Sequence, residues 1–317
     1  GFWLQSFENI RELLLQQSHC TSQHPNNMTS LGLGGENALG HELRGVSVYH
    51  ISHSLKTQVE HAGLSSNSNI YQIEPLVIRP KGEAVVCPRD QRLGAAYVDC
   101  VHGEEHVGMS SIMLSYAWSY SIGSITDTLV THCKDESLEV EKCKIWICCL
   151  CVNQHRVREQ SAKGAVVPFK EFQTVFSLRV SRIGSILAMM SPWRDPSYIH
   201  RVWCTFEMFT ASELKKEVRI AMPPREADDF CNALLVGEGV DEMWRTLSSV
   251  FIQGAEASVA EDKEQILKLM EQGPGFHALN SRVSKLLQNW IVATSTIYLR
   301  KQIESKNLDE EQEAQLR

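Results

Sequence analysis

Hydrophobic positions divide the chain into blocks of two kinds. The stretches "SSIMLSYAW" (110–118), "KIWICCLCV" (144–152) and "GSILAMMS" (184–191) are short and almost wholly apolar, and "EVRIAMPP" (217–224) follows as a fourth. Such runs predict strands buried on both faces. Between them, "SITDTLVTHCKD" (124–135), "PFKEFQTVFSLRVSR" (168–182) and the segment from Pro196 onward set apolar side chains three and four residues apart, which predicts amphipathic helices. In the last of these Ile199, Val202, Trp203, Phe206 and Thr210 make one stripe, with Glu207 at its edge. Pro196 suits the first helical position, and Asp195 is expected to accept from the first free N–H groups. Strands alternating with helices give an α/β core, a flavodoxin-like open parallel sheet expected over residues 109–262.

On either side the pattern changes. "GVSVYHIS" (45–52), "IYQIEPLVIRP" (70–80) and "GEAVVCP" (82–88), bounded by Gly, Pro, Ser or Asn, predict a β-rich antiparallel lead-in over 46–108. Residues 1–45 form an N-terminal extension. "GFWLQSFENIRELLLQQ" places Trp3, Phe7, Ile10 and Leu14 on one helical face, and residues 18–45 read as a polar linker. Helices are expected in "ADDFCNALLVGEGVDEMWRTLSSVFI" (227–252), with "TLSSVFI" (246–252) as a candidate fifth strand. A helical extension over 263–317 completes the chain, and its charged tail "KNLDEEQEAQLR" (306–317) is expected to fray or project.

Composition narrows the function. A chain of 317 residues with 43% hydrophobic content can bury a sizeable core. Its net charge of −7, with no basic block, gives no electrostatic footprint for nucleic acid. The longest apolar runs fall far short of the roughly 20 residues of a membrane span. Ten scattered cysteines in a chain of this size point to a reducing intracellular compartment, cytoplasmic or plastid, rather than secretion. The group Cys143, Cys148, Cys149 and Cys151, read as one buried strand, would point to opposite faces and not converge on a metal, so no metal is expected. "GLGG" (Gly32–Gly35) neither follows a buried strand nor opens an apolar helix, which excludes a phosphate loop.

Three stretches in order carry a family resemblance: "LSYAW" (Leu114–Trp118), "CVNQH" (Cys151–His155), and "MMSPW" ahead of "RVWCTFE" (Arg201–Glu207). Together they resemble the Toll/interleukin-1 receptor (TIR) superfamily, in particular its divergent protist and algal members, over about residues 109–222. In TIR domains a Trp-Cys-x-x-Glu segment opens the helix after the third strand, and in members that hydrolyse NAD its Glu is catalytic. Glu207 falls on that position, so the resemblance implies a candidate catalytic carboxylate with NAD as substrate, and no certain cofactor. The chemistry is intelligible without the family. Cleaving the bond between nicotinamide and ribose builds oxocarbenium character, which a nearby carboxylate stabilises. The ligand crevice of an open α/β sheet lies at the carboxyl ends of its strands. Ser115, Tyr116, Trp118, Ser191 and Trp193 sit at such ends, and Trp203 lies one turn before Glu207. These six are the nucleotide-binding candidates, with aromatic rings to stack on a base.

A second reading stands beside this one. A Glu at the edge of an apolar helical face commonly pairs with Arg, and Arg201, Arg194 and Arg182 are within reach in the sequence. Many TIR domains carry an acidic residue soon after the first-strand Ser-Tyr, and "SYAWSYSIGS" has none; Cys148 stands where a second-strand acid is expected. The first expectation is therefore a non-catalytic interaction or scaffold protein. It would dock within a larger assembly through residues 1–17 and the C-terminal helices, and the algal resemblance extends to an accessory subunit of a plastid complex. Hydrolysis of NAD by Glu207 is the alternative. Gln154 and His155 are expected on a loop that in TIR domains mediates assembly or gates the pocket, with His155 a solvated or capping residue.

Overall fold

The computed structural model describes residues 40–162, 169–248, 250–257 and 260–316; the helix expected over 1–17, most of the 18–45 linker and Gly32–Gly35 lie outside them. Six strands, β1 (Arg44–Ser47), β2 (Val107–Met109), β3 (Ile112–Ser115), β4 (Lys144–Ile147), β5 (Ser185–Met189) and β6 (Glu217–Ala221), form one sheet in the order β2-β1-β4-β3-β5-β6. β3 is parallel to β4 and β5, and β5 to β6, while β1 runs antiparallel to both β2 and β4. The parallel strands thus lie in the order second, first, third, fourth, consistent with flavodoxin-type winding. Every residue of β3 and β4 is buried, the polar Ser115 and Lys144 at their ends included, as their mostly apolar runs require of strands covered on both faces.

Nine helices accompany the sheet among the described residues of this α/β core and its C-terminal part: α1 (Ile122–Asp135), α2 (Cys148–Cys151), α3 (Gln154–Ala162), α4 (Phe169–Ile183), α5 (Val202–Glu213), α6 (Pro224–Val236), α7 (Val240–Ser248), α8 (Ala260–Gln272) and α9 (Phe276–Leu316). α1 shows how the sequence sets such a helix. The Ser121 hydroxyl caps it by accepting from the Ser124 N–H, and Ile122, Ile125, Leu129 and Cys133 bury one stripe. α5 packs on β5 and β6, with α4 beside it.

The β-rich antiparallel lead-in is corrected in part: β1 and β2 at its two ends do pair antiparallel, but the chain between them is mainly helical. Val48–His50, Ile51–Leu55 and Lys56–His61 run on as one helical stretch, and Ile70–Ile73, Glu74–Ile78 and Arg79–Gly82 as another. The buried residues Val48, Ile51, Leu55 and Val59, then Ile70, Ile73, Val77 and Ile78, recur mostly at spacings of three and four. That helical period outweighs the β-branched composition on which the strand reading rested. Asn69 and Gln72 close a capping box at the start of the second stretch. Residues 82–88 contribute only the isolated bridge Val86–Leu93.

Further expectations change. β4 stops at Ile147, and Cys148–Cys151 coil into the helical turn α2, so these cysteines do not alternate along a strand. α5 begins at Val202 instead of Pro196. Arg201 is extended and bridged to Glu256, whose N–H bonds the His200 carbonyl at 2.7 Å, and this pairing separates a 3-10 turn at Ser197–His200 from the helix. Asp195 meets the His200 ring at 2.7 Å rather than the free N–H groups. Residues 246–252 hold the end of α7 and no strand among the described residues, and the tail expected to fray or project keeps a helical backbone in α9 through Leu316. No described helix is long and apolar enough to cross a membrane.

Candidate functional site

Glu207 lies in the second turn of α5, between the buried Phe206 and Met208, and is itself half-buried. Its carboxylate meets the end of β3, where the fully buried Ser115 hydroxyl donates to Oε2. Behind Ser115 stands Tyr198, from the 3-10 turn, with its hydroxyl 2.7 Å from Ser115 Oγ and donating to the Cys204 carbonyl at 3.0 Å. The expected Arg partners are corrected: among the described residues no ion pair joins Glu207 to Arg201, Arg194 or Arg182. Arg194 stacks over Trp193 at 4.2 Å, and Arg201 donates to the Tyr71 hydroxyl at 3.3 Å. Burial, offset only in part by the Ser115 hydrogen bond, pushes the Glu207 carboxyl up to about 7.

Glu207 faces a cavity of about 350 Å³ at the carboxyl ends of β3 and β4. Tyr116 and Trp118 from the end of β3, Trp203 on α5, Trp146 on β4, Phe176 on α4 and Tyr71 from the lead-in wall it with aromatic faces. Of the sequence candidates, Glu207, Tyr116, Trp118 and Trp203 come together here, with Ser115 directly behind the carboxylate. Ser191 and Trp193 do not line it. Trp193 packs on Phe230 of α6 at 5.4 Å, and the Ser191 N–H bonds the Tyr120 hydroxyl at 3.3 Å. The pocket sits on the β4 side of β3, away from the end of β5.

Cys148, in place of the expected acid, also lines the pocket. Its thiol accepts from the Trp118 indole at 3.4 Å and donates to the Tyr116 hydroxyl at 3.5 Å, and burial, then the Glu207 charge, pushes it up to about 11. Burial raises Tyr116, Tyr198 and Cys204 as well, so these groups stay neutral at physiological pH.

Tyr71, Trp146, Phe176 and Arg179 are pocket residues that sequence reasoning missed. Tyr71 was hidden by the strand reading of the lead-in, although the helical period of Ile70, Ile73 and Val77 was there to be read. Trp146 and Arg179 belong to a buried ion network. Arg179 bonds the Glu42 carboxylate and lies over the Trp146 ring at 5.4 Å, while the Trp146 indole donates to the Glu42 carbonyl at 3.1 Å. Arg89 joins Glu42, Asp99 and the Cys151 carbonyl at 3.0, 2.9 and 2.9 Å, which ties the lead-in to α2 and fixes the pocket's far wall. Gln154 and His155 lie on α3 and not on a loop. Gln154 lines the pocket and donates to the Cys148 carbonyl at 3.3 Å. The His155 ring meets the Arg79 carbonyl at 3.0 Å and packs against Gly94, whose φ of 89° and the 2.9 Å that would separate a β-carbon from that ring both call for glycine.

Chemically, the arrangement offers an aromatic chamber with one carboxylate, its pKa pushed up to about 7, and two guanidinium groups, Arg179 and Arg201, in its lining. Among the described residues no group of His, Cys, Asp or Glu is arranged to hold a metal ion. No family model matches the chain, and comparison with curated proteins and with solved structures returned no match.

Proposed function

We propose that this chain is a TIR-like protein whose pocket takes a nicotinamide nucleotide, and that Glu207 serves hydrolysis of the nicotinamide–ribose bond of NAD. The observation that carries this reading is the Glu207 carboxylate, set in an aromatic pocket at strand carboxyl ends with a hydroxyl partner and, among the described residues, no ion pair to Arg179 or Arg201 of the same lining. Nicotinamide leaves a pyridinium substrate as a neutral molecule, taking the electron pair of the C–N bond, so the leaving group needs no acid and one carboxylate suffices. The ionised Glu207 stabilises the positive charge that develops on the ribose. Water then adds to the anomeric carbon, and its proton passes to Glu207 and out to solvent. Tyr116, Trp118 or Trp203 would stack the ring. The test is nicotinamide release from NAD by the purified chain and by Glu207→Gln, with circular dichroism to confirm the fold. Release by the wild type that is lost in the variant supports the reading; no release by wild type, or equal release by both, rejects it.

The scaffold reading keeps a specific observation of its own. Trp244, Phe251, Val292 and Ile297 are exposed in the C-terminal helical part, an apolar display suited to a protein partner. Light scattering of the purified chain across concentration tests self-association through these residues, and replacing Trp244 and Phe251 by Ser should abolish any oligomer seen.

A further inference from the structure

We propose that Cys133 and Cys143 form a reversible dithiol–disulfide site that takes a hydroperoxide as its oxidant, independently of what the Glu207 pocket binds. Cys133 stands in the last turn of α1 and Cys143 one residue ahead of β4, and the two buried thiols are close enough to hydrogen-bond each other. Other thiols are held differently. Cys87 accepts from the Asn153 amide at 3.5 Å, Cys148 is engaged by Trp118 and Tyr116, and Cys100, Cys151 and Cys204 bond backbone groups at 3.4, 3.4 and 3.5 Å.

The backbone brings the pair together. The Leu138 N–H bonds the Cys133 carbonyl at 2.8 Å and the Cys143 N–H bonds the Glu139 carbonyl at 2.9 Å, while Ser137 reverses the chain between them with a φ of 55°. An S–S bond would therefore close a loop that the fold has already closed, so little chain entropy opposes it. Residues 134–139, 141 and 142 of that loop are exposed. Local opening of one surface turn is enough to admit a small oxidant, although both thiols are buried. The site lies at the amino end of β4, whereas the Glu207 pocket lies at its carboxyl end.

Cys143 is the thiol that attacks. The Cys133 S–H donates to it, and the Lys144 ammonium, bonded to the Glu104 and Glu141 carbonyls, adds positive charge nearby; together they outweigh burial and hold Cys143 below the ordinary cysteine value. Cys133, as the donor, is raised by the same hydrogen bond and by burial. The Cys143 thiolate attacks one peroxide oxygen: an S–O bond forms, the O–O bond breaks, and the departing hydroxide or alkoxide takes a proton. Cys143 is now a sulfenic acid, two electrons having passed to the peroxide. The Cys133 sulfur then attacks that sulfur, the S–O bond breaks, and hydroxide leaves with the Cys133 proton as water. Two thiols and one hydroperoxide thus give one disulfide, one water and one further water or alcohol. A thiol reductant reverses the change by exchange.

The test treats the reduced full chain with hydrogen peroxide, blocks the remaining thiols with iodoacetamide and maps unreduced peptides by mass spectrometry. The expected product is an intramolecular link between Cys133 and Cys143, lighter than the dithiol by two hydrogens and reversed by dithiothreitol. It should form at least about tenfold faster than Cys100 is lost. Exposure alone predicts the opposite order, because Cys100 is partly exposed and the pair is buried. Cys133→Ser should stop Cys143 at the sulfenic acid, which dimedone traps, and Cys143→Ser should leave Cys133 a free thiol. Absence of the link after excess peroxide, loss of Cys100 ahead of the pair, or oxidation of Cys133 in Cys143→Ser as fast as in wild type overturns the inference. The wild-type map decides the matter even where a variant fails to fold.

Discussion

Glu42 and Glu207 are both carboxylates drawn partly out of water, and both bear on the same pocket, Glu42 through Trp146 and Arg179 and Glu207 directly. For each, burial is the largest single influence and works against the charge. Around Glu42 the guanidinium groups of Arg179 and Arg89 more than offset it, by charge and by hydrogen bonding, and hold the carboxyl below its ordinary value. Around Glu207 only the Ser115 hydroxyl opposes burial, and the carboxyl rises to about 7. The same functional group becomes a structural anchor in one setting and a group poised for chemistry in the other, and the presence of a cation decides which. A carboxylate left without its cation costs stability, and such a cost is commonly met where a ligand is to supply the charge.

Substitution to Gln at the two positions should separate them. The largest effect expected is on turnover: Glu207→Gln should lower nicotinamide release from NAD on the order of 10²–10³-fold, whereas Glu42→Gln should leave the reacting groups in place in whatever fraction remains folded. Next comes stability. Glu42→Gln leaves Arg179 buried without its partner carboxylate and removes one of two from Arg89, and should cost about 3 kcal/mol in urea unfolding.

Glu207→Gln should act in the opposite direction. Its folded-state pKa, about 7, lies above the ordinary 4.5, so the folded chain holds this proton more tightly than the unfolded chain does. The wild type then loses stability as pH rises from about 4.5 through 7, and the loss is complete above that. The variant has no such loss and should be more stable than wild type at pH 8 by about 2 kcal/mol, a figure reduced for partial exposure, with the gain vanishing toward pH 4.5. Urea unfolding of both proteins at pH 5 and pH 8 checks it. A fall in stability at pH 8 would return Glu207 to the class of Glu42.

The smallest effect sharpens the same contrast. Ser115→Ala removes the donor that favours the ionised form of Glu207, so the acid limb of the pH–rate profile should move to higher pH by roughly one unit. No movement would mean that the hydroxyl contributes nothing to the carboxylate's charge state.

The sequence made parts of this legible for reasons that can be named. Three of the four parallel strands, β3, β4 and β5, announced themselves because burial on both faces leaves mostly apolar runs, whereas β6 carries Glu217 and Arg219 and is not fully buried. Tyr116 and Trp118 followed from their places at a strand end, Trp203 from the helical stripe, and Glu207 from the position that the family resemblance gives it. The lead-in was misread because Val48, Ile51, Ile70 and Ile73 look like strand residues by type, while their three-to-four spacing is helical. Tyr71 went with it. The Glu42–Arg89–Arg179 network joins residues far apart in the chain, and no local pattern carries that information. The start of α5 was misplaced because its neighbour Glu256, some 55 positions away, pairs with Arg201 and delays the helix.

The central claim is that Glu207 is a ligand-facing carboxylate without a counter-ion, and infrared difference spectroscopy of wild type against Glu207→Gln tests it most directly. Followed from pH 4 to pH 9, the carbonyl band of the protonated Glu207 carboxyl should persist well above the usual carboxylate range and disappear with a midpoint near 7. A midpoint at or below 4.5, as for a carboxylate paired like Glu42, would contradict the account.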